Sequence, residues 1–340
     1  MSDAAAPGGL LERPPEEASR LLALRFLDAA RDARARLADS SDSEALHDFR
    51  VALRRLRSAL RSFVEPLGDT VPRKVARRLK KLAGSTNALR DCEVQLEWLG
   101  ATVAVGLPPA ERRAARWLRA RLQEIEAGER AACLETIERR HGPLDRALRR
   151  RLVSLHIEID LSSSGERRPL ELRVWLAARV LDLAGELAEA LSAVGSVFDG
   201  DEAHRARIAA KRLRYLLEPF VDEWSAAQNP VAELKALQDA LGALHDAQVL
   251  IATLGDLVAG AAAARARQRI ELAAELGSAD PALRGAGRGS PSGTLLIVDR
   301  LLAEQRQQFE IVEKGWLAGR AGAFFAGLEA LAVALNGATA

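Results

Sequence analysis

The sequence contains few cysteines, few aromatic residues and few β-branched residues. Its 340 residues include only two cysteines, Cys92 and Cys133, which argues against a disulfide framework and against a zinc site built from cysteines. Aromatic residues make up 4% of the chain, whereas the strong helix formers Ala, Leu, Arg and Glu dominate. The composition therefore predicts an all-α protein in a reducing compartment.

The chain also lacks a large excess of charge of either sign and a long, strongly apolar run. It carries 49 basic and 47 acidic side chains, a net charge of +2, which is unlike a bulk-basic nucleic-acid tail. Residues 1–15 have no signal-peptide pattern and are predicted to be a disordered lead. Residues 247–264 are mostly Ala and Gly, too poor in large apolar side chains to span a bilayer. We expect a soluble, cytoplasmic protein that does not bind membranes.

Heptad-like apolar spacing recurs through most of the chain and is interrupted where Pro, Gly, Ser or Asp cluster. Two such interruptions, residues 161–169 and 277–293, are typical of linkers. The first divides a helical region of residues 16–335 into halves of about 16–160 and 170–335. Because long helices joined by short loops bury their apolar stripes well as bundles, each half is predicted to form a four-helix bundle.

An internal repeat is the most informative feature of the sequence. Residues 47–63, HDFRVALRRLRSALRSF, align with residues 204–220, HRARIAAKRLRYLLEPF, with eight of 17 positions identical. A second pair follows in the same order: residues 79–94, LKKLAGSTNALRDCEV, and residues 234–249, LKALQDALGALHDAQV. The repeats predict an internal duplication that makes the two bundles pseudo-symmetric.

The first repeat of each half forms a helix with a basic stripe beside an apolar one. Neither stripe contains an Asp or Glu between residues 51 and 63 or between residues 204 and 217, so acidic i,i+4 partners within the helix are missing. Residues 73–81, RKVARRLKK, add six cations without an acid, and five of the six lysines of the chain lie in these repeated segments. The near-neutral total thus conceals local basic surfaces, which suit a polyanion rich in oxygens.

The two repeats resemble the CHAD family, the conserved histidine α-helical domain. The family pattern is approximately H-x-x-R-V/I-x-x-R/K-R-L-R, given twice, and it is matched by residues 47–57 and residues 204–214. Each copy is followed by an R/H-D pair, here Arg90-Asp91 and His245-Asp246. The resemblance implies two pseudo-symmetric four-helix bundles around a basic surface that binds inorganic polyphosphate. The glycines Gly84 and Gly242 do not align between the copies, which is a departure from the pattern.

Three roles are open for the two repeat histidines, His47 and His204. Each can orient the start of its helix by hydrogen bonding, contact a phosphate directly, or bind a metal. Metal binding is the weakest reading, because cations follow each histidine at i+3 and i+7 and no second ligand lies at i+3 or i+4. We therefore predict no metal and no cofactor.

The basic segments also lack the carboxylate cluster that a Mg²⁺-dependent phosphoanhydride hydrolase needs, so we predict a binding protein and not an enzyme. Nucleic acid is a weaker candidate ligand, because Tyr215 is the only aromatic residue near either stripe. The sequence thus predicts binding of inorganic polyphosphate and association with polyphosphate granules. The alternatives are a nucleic-acid or generic polyanion adaptor and a metal-chelating or phosphoryl-accepting histidine protein. The residues predicted to bind polyphosphate are His47, Arg50, Arg54, Arg55, Arg57, Arg77, Lys80, Lys81, Arg90, His204, Arg207, Lys211, Arg212, Arg214, Lys235 and His245.

Overall fold

The computed structural model describes residues 9–39, 41–154, 170–276 and 293–337. Within these ranges the chain is helical and contains no strand, so the prediction of an all-α fold is confirmed. The helices are α1 (Pro15–Arg36), α2 (Ala45–Ser62), α3 (Val64–Leu67), α4 (Arg73–Gly84), α5 (Asn87–Ala104), α6 (Pro109–Val153), α7 (Leu172–Ser192), α8 (Gly200–Leu217), α9 (Gln228–Leu276), α10 (Thr294–Val312) and α11 (Arg320–Gly337).

The helices form two compact units. The first unit comprises residues 1–86, 134–241 and 312–340, and the second comprises residues 87–133 and 242–311. Two of the four unit boundaries fall inside long helices: one within α6, between residues 133 and 134, and one within α9, between residues 241 and 242. The other two lie between α4 and α5 and at the last residue of α10. Each unit therefore takes segments from both predicted halves of the chain. The internal duplication stays a prediction. The predicted linker at residues 161–169 and all but the last residue of the predicted linker at residues 277–293 lie outside the described residues.

The start of the chain differs from the predicted disordered lead. Residues 1–8 lie outside the described residues, but Leu10–Glu12 form a 3₁₀ turn. The carbonyl of Arg13 then accepts a hydrogen bond from the N–H of Leu172 at 2.8 Å. This backbone pairing with α7 gives the second part of the lead a defined structure, which its Gly- and Pro-containing sequence does not predict.

The first unit is held together by the apolar faces of its helices. α2 packs against α1, α4 and α8, and it buries Phe49, Leu53 and Leu56 completely. Arg20 of α1 is also buried, and it serves the end of α6: its Nε donates to the Leu152 carbonyl at 3.0 Å and its Nη2 to the Arg151 carbonyl at 3.3 Å. The last carbonyls of a helix have no partner within the helix, so this arginine replaces the missing donors.

The second unit has a separate core made by α5, the first part of α6, the second part of α9, and α10. Leu99, Leu118, Leu250 and Ile297, one from each of these four segments, are buried together. Two polar contacts support this core: the Trp98 indole N–H donates to Glu304 at 2.6 Å, and the Gln95 amide donates to the Thr253 hydroxyl at 3.0 Å.

Some helices begin or end at other residues than the apolar pattern predicts. The pattern predicts one helix over residues 72–100, but α4 ends at Gly84 and α5 begins at Asn87. The hydroxyls of Ser85 and Thr86 donate to the carbonyls of Leu82 and Ala83, and these bonds satisfy the end of α4. In contrast, the pattern predicts separate helices over residues 109–141 and 143–159, but α6 continues through Pro143. Leu144 and Leu148 are buried and hold the turns that follow the proline in place.

Within the part of the chain that the structure describes, one helical segment is long and apolar enough to cross a membrane by length and composition. This segment is Ser225–Leu276, and its most apolar stretch of 18 residues has a mean hydropathy of 1.6. Of that stretch, 11% is buried. Thr294–Leu317 and Arg320–Gly337, bent by 53° at the break between them, pass the same test as a pair. Helices of soluble proteins also pass this test, so the prediction of a cytoplasmic protein that does not bind membranes stays a prediction.

Candidate functional site

The candidate site lies on the first unit, where α2 and α8 pack against each other. Both helices bury an apolar face, with Leu53 and Leu56 on α2 and Leu213 on α8 all inside. Burial of these faces directs the cations of both helices away from the core. Arg54 of α2 is exposed, whereas Arg57 of α2 and Lys211 of α8 are partly buried.

Cations from the two helices meet around the ring of Tyr215, which is itself buried in α8. The ring centroid lies 4.6 Å from the Arg214 guanidinium carbon, 5.8 Å from that of Arg54 and 5.8 Å from the Lys211 ammonium nitrogen. These distances are within the range of cation–π attraction. We call the following five residues of α2 and α8 the cation cluster: Arg54, Arg57, Arg207, Lys211 and Arg214.

Lys211 shows how strongly the positive charges of the cation cluster act on each other. Burial, together with the charges of the four arginines of the cluster, lowers the pKa of Lys211 to about 8. Arg61, the last cation of the α2 stripe, shows the same effect. Burial, Arg57 and Arg212 lower its pKa. These shifts indicate a concentrated positive potential on this face of the first unit, which an oxyanion would relieve.

The prediction that the basic stripes lack acidic partners is wrong for three of their residues, and Lys235, a predicted binding residue on α9 outside the stripes, is paired as well. Arg55 pairs with Glu218 at 2.5 Å, and Arg214 lies 4.0 Å from the same carboxylate. Arg212 pairs with Glu186 at 2.9 Å, and Lys235 pairs with Asp239 at 2.7 Å. The first two carboxylates lie outside the stripes, in the turn after α8 and on α7, so the stripes themselves do not reveal them.

The other cations of the cluster keep their charge unbalanced. Among the residues that the structure describes, no carboxylate lies within 4.0 Å of Arg54, Arg57, Arg207 or Lys211. Exposed ion pairs such as that of Arg212 contribute about 0–1 kcal/mol, so a phosphate can replace the carboxylate at small cost. The arrangement can therefore accept several phosphate oxygens at once.

The α4 cations of the predicted site, Arg77, Lys80 and Lys81, are exposed on the side of α4 opposite its buried Val75 and Leu79. Within the described chain, none of the three cations has a carboxylate at pairing distance. α4 packs against α2, and α2 carries two of the five residues of the cation cluster.

The remaining predicted residues are placed differently. His47 and Arg50 lie near the beginning of α2, where His47 is exposed and Arg50 is partly buried. His204 lies near the beginning of α8 and is partly buried. Arg90 on α5 and His245 on α9 belong to the second unit. Where the structure describes the chain, no three His, Cys, Asp or Glu side chains come together as metal ligands would.

Two contributors to the site are absent from the predicted residues. Arg61 continues the α2 stripe, but the aligned position of the second repeat is Glu218. A prediction that keeps only cations present in both repeats therefore omits Arg61. The helical spacing from Arg54 and Arg57 was the signal that could have included it. Tyr215 stands out in the sequence as the only tyrosine, but its position under three cations depends on how α2 and α8 pack.

Comparison with known proteins identifies the chain. A family model described as the CHAD domain matches residues 22–255, more than half of the chain. The chain belongs to the CHAD family. The resemblance predicted from the two basic repeats is thereby confirmed. No curated protein matches the chain.

A solved CHAD domain shares the fold. The crystal structure of the CHAD domain from the plant Ricinus communis is 22% identical in sequence and superimposes with a TM-score of 0.57. The similarity covers 96% of this chain and 98% of the plant chain. At this level of identity the comparison supports the helical architecture and not the role of any single residue.

Proposed function

We propose that this CHAD domain binds inorganic polyphosphate at the cation cluster and does so without catalysing a reaction. The observation that carries the proposal is Lys211, a partly buried lysine surrounded by four arginines of α2 and α8. Such a concentration of like charge destabilises the free protein and is relieved when an anion binds. Polyphosphate offers a high density of oxyanions and no base edges to read, which fits a site made of cations alone.

The position of Tyr215 favours polyphosphate over nucleic acid. Single-stranded nucleic acids gain affinity by stacking bases on exposed aromatic rings. The ring of Tyr215 is 5% exposed and three cations of the cluster lie around it. The ring therefore contacts cations inside the protein and is not exposed for stacking with a base.

A role without catalysis fits the carboxylates near the cluster. Phosphoryl-transfer enzymes hold Mg²⁺ with carboxylates beside the phosphates. Among the residues with a described structure, Glu218 is the carboxylate that comes within 4.0 Å of a cluster cation, Arg214, and the Arg55 guanidinium also binds it. We infer that the protein acts as a binding module, which would bring it to polyphosphate granules in the cytoplasm.

The cluster can be tested by removing two of its charges. In the double variant Arg54→Gln/Lys211→Gln, we expect the affinity for polyphosphate to fall by about 100-fold or more, because two charge-assisted hydrogen bonds are lost and each contributes about 1.5–3 kcal/mol. Isothermal titration calorimetry with polyphosphate of defined length measures the change.

A variant on the same helix provides the control for that titration. Arg205→Gln removes one charge from the exposed Arg205 of α8, which pairs with Glu202 at 2.6 Å outside the cluster, and should bind almost as wild type. Equal losses of affinity in the double variant and in Arg205→Gln would show that binding depends on net charge alone, which contradicts the proposal.

Competition with single-stranded RNA tests the alternative ligand. If RNA displaces polyphosphate at equal phosphate concentration, the site is a generic polyanion site.

A further inference from the structure

α4 carries more positive charge than the predicted site includes. Its 12 residues contain six cations and no acid. All six cations are exposed, and the apolar residues Val75, Leu79 and Leu82 of the same helix are buried. At 100° per residue the six cations form one continuous arc on the outer side of the helix. Three of them lie outside the predicted binding residues: Arg73, Lys74 and Arg78.

The stability of α4 does not explain these charges. Arg73 and Lys74 lie in the first turn, where the positive end of the helix dipole favours acidic residues and disfavours cations. Within the described chain, no carboxylate lies at ion-pairing distance from Arg73, Lys74 or Arg78. The helix keeps an unfavourable arrangement of charge without visible compensation, which is typical of residues retained for binding.

The placement of α4 relates this surface to the cation cluster. α4 packs against α2 within the first unit, and α2 supplies Arg54 and Arg57 to the cluster. A short phosphate chain is satisfied by a few cations. A long chain held at the cluster has further phosphates at high effective concentration near the same unit, and additional weak contacts then raise its affinity.

We propose that the outer face of α4, through Arg73, Lys74 and Arg78, is a second contact surface for polyphosphate that selects long chains over short ones. This inference rests on the proposed function, because the cation cluster must first hold the chain. Exposed cations suit this role, since the Lys74 ammonium binds phosphates without one fixed geometry and the guanidinium groups of Arg73 and Arg78 can each bind two phosphate oxygens. An anionic membrane is the less favoured partner, because the apolar face of α4 is buried and has nothing to insert into lipid.

The triple variant Arg73→Gln/Lys74→Gln/Arg78→Gln tests the inference by calorimetry with tripolyphosphate and with a long-chain polyphosphate. We expect an affinity for tripolyphosphate equal to wild type and a loss of about tenfold or more for the long chain. The salt dependence of long-chain binding should become shallower by about 2 in log–log slope, because three phosphate contacts are removed. Circular dichroism should show an unchanged helix content.

A matched triple variant removes the same charge elsewhere in the first unit. Arg139→Gln/Arg140→Gln/Arg205→Gln changes three exposed arginines of α6 and α8, and long-chain binding should stay near wild type. Unchanged long-chain affinity in the α4 variant, or equal losses for both chain lengths, overturns the inference. Loss of binding to phosphatidylserine vesicles with both polyphosphate affinities retained also overturns it, in favour of a membrane surface. If wild-type protein binds neither polyphosphate, the proposed function itself is wrong.

Discussion

At the residue scale, Lys211 occupies a position that is unfavourable for its positive charge, and we propose that it binds phosphate there. Its ammonium is partly buried, and four guanidinium groups raise the cost of its charge. The charged and titratable groups that face it are those of the cluster and Tyr215 on α2 and α8. Two acids of the neighbouring elements, Glu186 on α7 and Glu218 after α8, are held by Arg212 and Arg55. A bound phosphate would supply the missing negative charge.

Polyphosphate binding should therefore depend on the protonation of Lys211. The free protein has a Lys211 pKa of about 8, and an adjacent phosphate raises it, so binding near pH 8 takes up protons and affinity falls as the pH rises above 8. Calorimetry at pH 8 in two buffers of different ionisation enthalpy measures this uptake.

The variant Lys211→Arg is the control for the pH effect, because arginine stays charged throughout this range. It should bind polyphosphate without the proton uptake of wild type and with an affinity that is flat between about pH 7 and 9. The same proton uptake in wild type and in Lys211→Arg would show that another group titrates.

At the element scale, helix ends in this protein are completed by side chains that the apolar pattern does not reveal. The pattern predicts most helices, because the buried faces of α1, α2 and α8 repeat with helical spacing. It cannot predict that α4 ends at Gly84, since two hydroxyls decide that end. The end of α6 likewise depends on Arg20, which is distant in sequence and looks like any other cation of α1.

Removal of the Arg20 guanidinium should destabilise the first unit. Arg20→Met leaves the carbonyls of Arg151 and Leu152 without their donors, and we expect the free energy of unfolding to fall by about 2–3 kcal/mol. Chemical denaturation measures the change.

Arg25→Met is a suitable comparison, because Arg25 is exposed on the same helix. Its free energy of unfolding should stay within about 0.5 kcal/mol of wild type. If both variants lose stability equally, the loss comes from the charge or the packing of α1 and not from the carbonyls at the end of α6.

At the scale of the whole molecule, net charge and local charge give opposite expectations for salt dependence. A net charge of +2 predicts weak electrostatic binding, whereas the five cations of the cluster predict a strong effect of salt. Because counterions are released from the bound polymer, the affinity for a short chain that reaches only the cluster should fall with a log–log salt slope of about −3.5 when five phosphates are contacted. Titration at several salt concentrations gives this slope. A slope near zero would show that the cluster does not contact the chain.

The amino-acid sequence alone determines that this protein is helical, that its basic residues form stripes on repeated helices, and that it resembles the CHAD family. These properties depend on local spacing, because a helix brings residues three and four apart to one face. Only the tertiary structure decides which charges meet. Glu218 and Glu186 neutralise part of the stripes, Tyr215 lies beneath three cations, and the compact units divide the chain within α6 and α9. These outcomes depend on contacts between residues far apart in sequence, which helical spacing does not encode.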